Sequence, residues 1–518
     1  MGFLMQGARI QQLERLHVIA QRLTQTTEPP PVEASQKKPA KPGWVLLFFD
    51  VCCLAGALVM TLNISWVFDH LPSGDPDVYV NYALLFWKHV PAFHEFPQEY
   101  PPLSLVPFSL TLVPYSKVHY YWVFAIWMGL LVCLSYVVFA RLVSRKKALI
   151  YALYLLVGAL GTVLMRFDLW PALATLAALM LAERRHYAWS YVLLAIGVLL
   201  KLYPAFLVPV VMAYQWRDLW LMRSSGLDAP LLGQPPGWSA RLPARWQSVI
   251  RSTWAQRRAF LHDLLVCSGP VLGGALLFVL LVTLGFLVPA SLNFQGTISS
   301  FKYNFVRPIQ IESVPASLLW IGSFFGYPVH PNESFHSLNL VGSLDVYLKS
   351  LSMYALVGGM VLVSWRVLRG KLTLGEAFVA TIALVLASNK LLSPQYIIWI
   401  LPLVAYVEGY DSLWLIICAL TTLIYPFIYQ TRHPILLVPT NSAFLPTITL
   451  RNVLLVVATV RAVRGGQVRR DLERELADAD LSVAGIAESE APSDLPLPTL
   501  NAYRRSDEEQ FRLASATS

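Results

Sequence analysis

Apolar residues run along this chain in long blocks, with polar residues gathered between them. Blocks at 44–66, 118–140, 148–165, 169–181, 188–200 and 203–215 are followed by others at 264–288, 351–367, 374–388, 396–407, 413–429 and 444–463. A bilayer core needs roughly 20 apolar residues per helix, and fewer where a helix is broken or shielded by neighbours. The pattern predicts an all-α, polytopic integral membrane protein with about 12 transmembrane helices over 44–463. Two polar stretches between blocks are long, 67–116 and 289–349. Long loops in compact membrane proteins often carry function.

Basic residues set the expected orientation. Lys37, Lys38 and Lys41 precede the first block. If the blocks alternate, "RLVSRKK", "ERRH", the Arg-rich stretch 216–262, "RVLRGK" and "VRAVRGGQVRR" all fall on that same side. Lys and Arg mark cytoplasmic loops. Both termini are therefore expected inside and both long stretches outside. Within the cytoplasmic segment 1–43, Ile10, Leu13, Leu16, Ala20 and Leu23 recur at helical spacing, fit for an interfacial helix or a frayed tail. Met1 to Leu23 lack the continuous apolar core of a cleavable signal. The tail 464–518 is polar and charged, and disorder is expected there.

Composition points to lipid rather than water as the solvent. Of 518 residues, 56% are hydrophobic and 14% charged, against about 45–50% and about 25% in globular proteins. A formal charge of +9 in a soluble chain would suggest nucleic acid. Here the basic residues sit in short segments between apolar blocks, so no nucleic acid is implied. Cys52, Cys53, Cys133, Cys267 and Cys418 all lie within apolar blocks and read as small buried hydrophobes rather than a disulfide frame. No compact ligand spacing points to a metal, and no cofactor is implied.

The expected outer side collects the groups able to do chemistry. "GDPDVY" carries Asp75 and Asp77, and "EYPPL" carries Glu99 and Tyr100. The junction "LMRFDLWPA" holds Arg166 and Asp168, and "LLKLYPA" holds Lys201. "FKYNFVRPIQIES" supplies Lys302, Arg307 and Glu312; "SNKLLSPQY" supplies Asn389, Lys390 and Gln395; "YQTRHP" supplies Arg432 and His433. Arg451 lies several residues inside the last block. A charge at membrane depth costs about 2.5–3.5 kcal/mol on insertion scales, which makes each a functional candidate. Structural readings stand beside these. Lys201 and Lys390 can snorkel to the interface, Arg166 can pair with Asp168, and Glu312 can pair with Arg307. Asp75 or Asp77 can simply cap a helix, and the two prolines of "EYPPL" stiffen a return to the membrane. Taken together, cations suit a phosphate-bearing ligand and a carboxylate suits a general base. A lipid-linked sugar phosphate needs both.

"GDPDVY", "EYPPL", "RFDLWPALATLAAL", "LLKLYPAFLVP", "RPIQIES" and "SPQYIIWILP" together resemble the multi-spanning GT-C glycosyltransferases, in particular glycosyltransferase family 87, over residues 44–463. That family includes polyprenyl-phosphate-mannose-dependent α-mannosyltransferases of bacterial envelopes. The resemblance implies a GT-C fold in the bacterial cell membrane, with its active site on the extracytoplasmic face. It implies a polyprenyl-phosphate sugar donor, a glycolipid or glycan acceptor, and inverting transfer on the outer face; no metal is required, because arginine and lysine can stabilise the leaving phosphate. In the family pattern the base stands four residues before a Tyr. Here that is Asp75 ahead of Tyr79, with Asp77 as its rival. Lys201, Arg307, Lys390 and Arg451 are then candidates for the donor phosphate. Glu99, Tyr100, Arg166, Asp168, Glu312, Gln395 and His433 are candidates for acceptor or structural support. A polytopic transporter or lipid-linked glycan flippase is the competing reading, and it should show an internal repeat and charges near the membrane midplane. No convincing repeat is found, and most charges crowd the outer edge. A non-catalytic scaffold would leave those acids and cations without a purpose.

Overall fold

The structure is a computed structural model that describes residues 43–68, 75–89, 99–110, 117–225, 244–335, 337–429 and 443–466. The N-terminal segment with its expected interfacial helix, most of the tail, and His433 lie outside the described residues.

The described chain is mostly helical. It begins with α1 (Trp44–Phe68) and α2 (Asp75–Trp87), then a 3-10 turn at Pro102–Ser104 leading into α3 (Leu105–Ser109). The next pairs are α4 (Lys117–Leu142) with α5 (Arg145–Gly158), and α6 (Leu169–Glu183) with α7 (Tyr187–Leu200). A 3-10 turn at Tyr203–Leu207 opens α8 (Val208–Ser225), followed by α9 (Ala244–Leu292), α10 (Phe294–Val306) and α11 (Val314–Ser323). An antiparallel hairpin of β1 (Val329–Ser334) and β2 (Ser337–Gly342) pairs Val329 with Gly342 and Ser334 with Ser337. Then come α12 (Asp345–Leu368), α13 (Leu374–Ser388), a 3-10 turn at Pro394–Trp399, α14 (Leu401–Val407), α15 (Ser412–Thr422) and α16 (Phe444–Arg464).

Among the described residues five stretches are long and apolar enough to cross a membrane: Trp44–Leu62, Val118–Leu142, Leu265–Leu292, Asp345–Leu368 and Phe444–Arg464. Their outward faces are greasy, with Leu276 69% exposed and Val361 65%. Continuous apolar surface of that kind needs lipid or another protein against it. The shorter apolar helices lie mostly inside. Ala377, Phe378, Val379, Ala380, Ile382 and Ala383 of α13 are fully buried, as expected of a helix apolar on every side. Helix α9 packs close against α7, where a Cβ at Gly274 would meet the Tyr191 ring at 2.2 Å and one at Gly285 would meet Leu199 at 2.5 Å. Small residues permit that backbone approach.

Two expected boundaries move. The block 148–165 leaves the helix at Gly158 and continues in turns, because Gly158 and Gly161 weaken helix there. The basic stretch 216–262 is helical at both ends, since α8 runs to Ser225 and α9 starts at Ala244. Residues 244–262 contain neither Gly nor Pro, so nothing local stops the helix.

The basic segments meet at one end of the assembly. The Lys147 ammonium donates to the Tyr406 carbonyl, and the Tyr406 hydroxyl donates to Glu183 at 2.6 Å. Asp218 accepts from Arg185 at 3.0 Å and from the Tyr187 hydroxyl at 2.8 Å. Arg366 reaches the Arg464 carbonyl, the Gly466 N–H reaches Glu376, and Arg461 pairs with Glu408 and Asp411. A capping box of Thr373 and Glu376 starts α13 at this end. Helices α6, α7, α12, α13 and α16 run between the two ends, so Asp168, Lys201, Asp345, Asn389 and Phe444 stand at the far one.

Candidate active site

Asp75 opens α2 and Pro76 follows it in the first turn, where a missing N–H costs no helical hydrogen bond. Asp77 is held from α4, whose Tyr121 hydroxyl donates to its Oδ1 at 2.6 Å. One turn into α2, Tyr79 is fully buried. Its ring stacks on Phe108 of α3 at 4.3 Å and meets Tyr100 at 5.8 Å and Phe167 at 5.7 Å edge-on. The Glu99 N–H donates to the Tyr82 hydroxyl at 3.2 Å. The Ser104 hydroxyl, at the Pro turn, donates to the Pro101 carbonyl at 2.6 Å. An aromatic cluster thus joins the start of α2, the "EYPPL" return and the "RFD" turn. Such ring pairs contribute about 0.5–1.5 kcal/mol each beyond their burial.

Phe167 leads directly to a buried ion pair. Asp168 is 0% exposed, and its Oδ1 accepts from Lys201 at 2.5 Å and from the Trp399 indole N–H at 2.6 Å. Although Asp168 immediately precedes α6, it makes no side-chain cap to that helix. Its Oδ2 has no hydrogen-bond partner among the described residues. The Lys201 ammonium lies 5.1 Å from the Phe167 ring centroid, 4.9 Å from Tyr396 and 5.2 Å from Trp399. Tyr203 and Tyr396 both stack on Trp399, at 4.2 and 4.1 Å. A desolvated cation gains about 2 kcal/mol from such a face. Arg166, also buried, donates to the Met165 carbonyl at 3.2 Å, while Asp168 takes Lys201 as its ion-pair partner.

A second cluster begins at Lys390 and joins the first through residues 390–396. The Lys390 carbonyl accepts from the Gln310 N–H at 2.9 Å, and its ammonium donates to the Arg307 carbonyl at 2.9 Å. Burial, with the positive charges of Lys349 and Arg307 beside it, pushes the Lys390 ammonium down to about 8. The Arg307 guanidinium donates to the Ser337 hydroxyl at 3.0 Å. Gln395 accepts from the Ser393 hydroxyl at 2.5 Å. Glu312 pairs with Arg451 of α16 at 3.9 Å, and both are nearly fully buried. The Glu312 carboxylate also accepts from the Tyr429 hydroxyl at 2.9 Å. Its carbonyl accepts from Arg451 at 2.8 Å and from Asn452 at 3.1 Å. Burial outweighs these partners and pushes the Glu312 carboxyl up to about 7.

The candidates therefore divide. Lys201 and Arg451 each pair with a buried carboxylate, and Lys390 is tied to the Arg307 backbone. Helix α2 carries Asp75 and Asp77 two residues apart at its start, within a turn of the buried Tyr79. Sequence reasoning passed over Trp399, Tyr396 and Tyr203, because they read as part of apolar blocks. It also passed over Asp50, which a search for charges inside apolar blocks would have found. Asp50 takes Arg145 in two hydrogen bonds of 2.7 and 2.8 Å and the Tyr136 hydroxyl at 2.8 Å. Among the described residues no three His, Cys, Asp or Glu side chains form a metal-ligand group. Comparisons with protein-family models, with curated proteins and with solved structures find no match.

Proposed function

We propose that this chain is a membrane glycosyltransferase of GT-C type. In this reading the shorter apolar helices complete about 12 membrane segments, and the end opposite the basic loops faces outward. It transfers a sugar, with mannose the first choice, from a polyprenyl phosphate to a glycolipid or glycan of the bacterial envelope. One observation carries the reading. The Asp168–Lys201–Trp399 network adjoins, through the Phe167 ring, the aromatic cluster around Tyr79 in the first turns of α2. Five separated motifs so contribute to one place, at the end where the basic loops are not.

The roles follow from the chemistry. Asp75 takes the proton of an acceptor hydroxyl as it attacks the anomeric carbon, help worth typically ~10²–10⁴-fold. The sugar–phosphate bond breaks with its electron pair on the phosphate, which cations stabilise. Arg307 and Lys390 suit that role, since the Lys390 ammonium donates to the Arg307 carbonyl and the two cations stand together. Lys201 and Arg451, already matched, position the walls of the site. Asp168 holds Lys201 and the Trp399 indole in place, with Glu99, Tyr100, Arg166 and Gln395 as acceptor or structural support. The reading is tested by transfer from radiolabelled polyprenyl-phosphate sugars into membrane lipids. Asp75→Asn should abolish transfer while donor binding persists. If only Asp77→Asn does so, the base moves by two residues.

A further inference from the structure

At the basic end of the molecule the acids and cations do not balance locally. Glu183 accepts from the Tyr406 hydroxyl, Asp218 accepts from Arg185 and Tyr187, and Glu408 and Asp411 share Arg461. Glu376 accepts from the Thr373 and Gly466 N–H groups. Arg217 of α8, Arg366, Arg369 and Lys371 at the end of α12, and Arg464 at the end of α16 make no ion pair among the described residues. Their segments meet closely. The Val367 and Arg366 carbonyls accept from the Gly370 and Lys371 N–H groups at 2.9 Å each, a Schellman turn with Gly370 at φ +69°. The Arg217 guanidinium lies on that glycine, where a Cβ would meet Nη2 at 2.9 Å and Cζ at 3.2 Å. Arg366 Nη2 donates to the Arg464 carbonyl at 2.5 Å, and a Cβ at Gly465 would meet the Lys371 carbonyl at 3.2 Å. The ends of α8, α12 and α16 thus join at one corner. A helix C-terminus is partly negative, but here the turn and Arg366 take up carbonyls of both α12 and α16.

Helix α12 links this corner to the greasy outer surface. Gly358, Leu362, Trp365 and Arg369 follow one another at helical spacing and share one face. Leu362 is 46% exposed and Trp365 52%, and a Cβ at Gly358 would meet nothing within 4 Å. The Arg369 guanidinium lies 4.5 Å from the centre of the Trp365 ring. Aromatic and basic side chains at the end of an apolar helix belong at headgroup level. An apolar stripe that ends on cations fits an acyl chain along the stripe and a phosphate at its foot. A free phosphate would use the cations alone, and an acidic peptide would leave the stripe uncovered. Basic pockets between membrane helices bind anionic headgroups. We propose that Arg217, Arg369 and Lys371, where α8, α12 and α16 meet, bind the phosphate of an anionic phospholipid whose acyl chain lies along the Gly358, Leu362 and Trp365 face of α12. The site stands at the end away from the proposed transfer centre and does not depend on what the chain transfers.

The test uses the purified full chain in phosphatidylcholine nanodiscs. These are doped with phosphatidylglycerol or phosphatidylcholine carrying a diazirine on the acyl chain. After illumination, label on residues 358–368 is read by mass spectrometry. At equal doping the wild-type chain should take about tenfold more label from phosphatidylglycerol, the worth of one to two basic contacts. Arg369→Gln with Lys371→Gln should cut that preference to about twofold and leave the phosphatidylcholine label unchanged. Lys146→Gln with Arg184→Gln removes the same charge elsewhere at the basic end and should keep the preference. Equal label from the two lipids in the wild-type chain overturns the proposal. So does an Arg369 and Lys371 variant that is unchanged, or one that loses both lipids alike. An equal loss in the two variant pairs would mean a general field rather than a site, and overturns it as well. Glycerol phosphate that suppresses the label at the lipid's own concentration would make a soluble phosphate the ligand. A preference that emerges only with Asp471→Asn, Glu473→Gln and Glu475→Gln would assign the corner to the chain's own acidic tail. Either result overturns the assignment to a lipid.

Discussion

Lys201 and Asp168 sit 33 positions apart in sequence and share one hydrogen bond, with Asp168 fully buried. Removing one partner of a buried ion pair strands the other and typically costs about 3–5 kcal/mol. Lys201→Met should therefore sharply lower the thermal midpoint of the detergent-solubilised chain, and Lys201→Met with Asp168→Asn should recover much of it. A double variant as unstable as the single one would mean that the pair does not hold this end together. Glu312 gives a pH signature. Its carboxyl rises from an ordinary 4.5 to about 7, so the folded chain holds that proton more tightly than the unfolded one. The stability it contributes is full below about pH 4.5 and is lost as pH rises through about 7. The thermal midpoint should fall from pH 6 to pH 8 in the wild-type chain and fall less in Glu312→Gln; parallel curves would contradict this. Both charges could be picked from the sequence as misfits in apolar surroundings. Their partners could not, because periodicity places a residue on a face and says nothing of which distant segment meets it. Arg451 finds Glu312 across 139 positions, whereas the sequence offered the nearer Arg307.

At the level of elements, legibility followed local signals. The block 374–388 matches α13 to the residue, because Thr373 and Glu376 cap its start. The block 396–407 becomes a 3-10 turn and a short helix instead, with Pro394 and Pro402 interrupting it. Block length alone did not reveal that α5 ends at Gly158, or that α9 reaches back to Ala244. The packing of α9 on α7 makes a direct prediction. Gly274→Leu would push a side chain into the Tyr191 ring, and overpacking of this kind costs typically about 1–3 kcal/mol. It should lower the thermal midpoint, while Gly273→Leu, whose Cβ meets nothing within 4 Å, should not. Equal effects would place the contact elsewhere.

Over the whole molecule, charge organises the chain into two ends. Hydrogen bonds and ion pairs bring the five basic segments together at one of them. The acids and cations of the helix junctions gather at the other, with aromatic rings between them. The sequence made that division visible, since alternation of apolar blocks sorts junctions by parity. It did not show that the junction charges pair as Asp168 with Lys201 and Glu312 with Arg451, because those contacts are tertiary. The proposed activity turns on what the first of these does with the start of α2. Membranes containing the wild-type chain should transfer label from polyprenyl-phosphate mannose or a related polyprenyl-phosphate sugar to lipid. Asp75→Asn, still folded and still binding donor, should transfer none. Transfer at the wild-type rate by variants lacking both Asp75 and Asp77 would contradict the account.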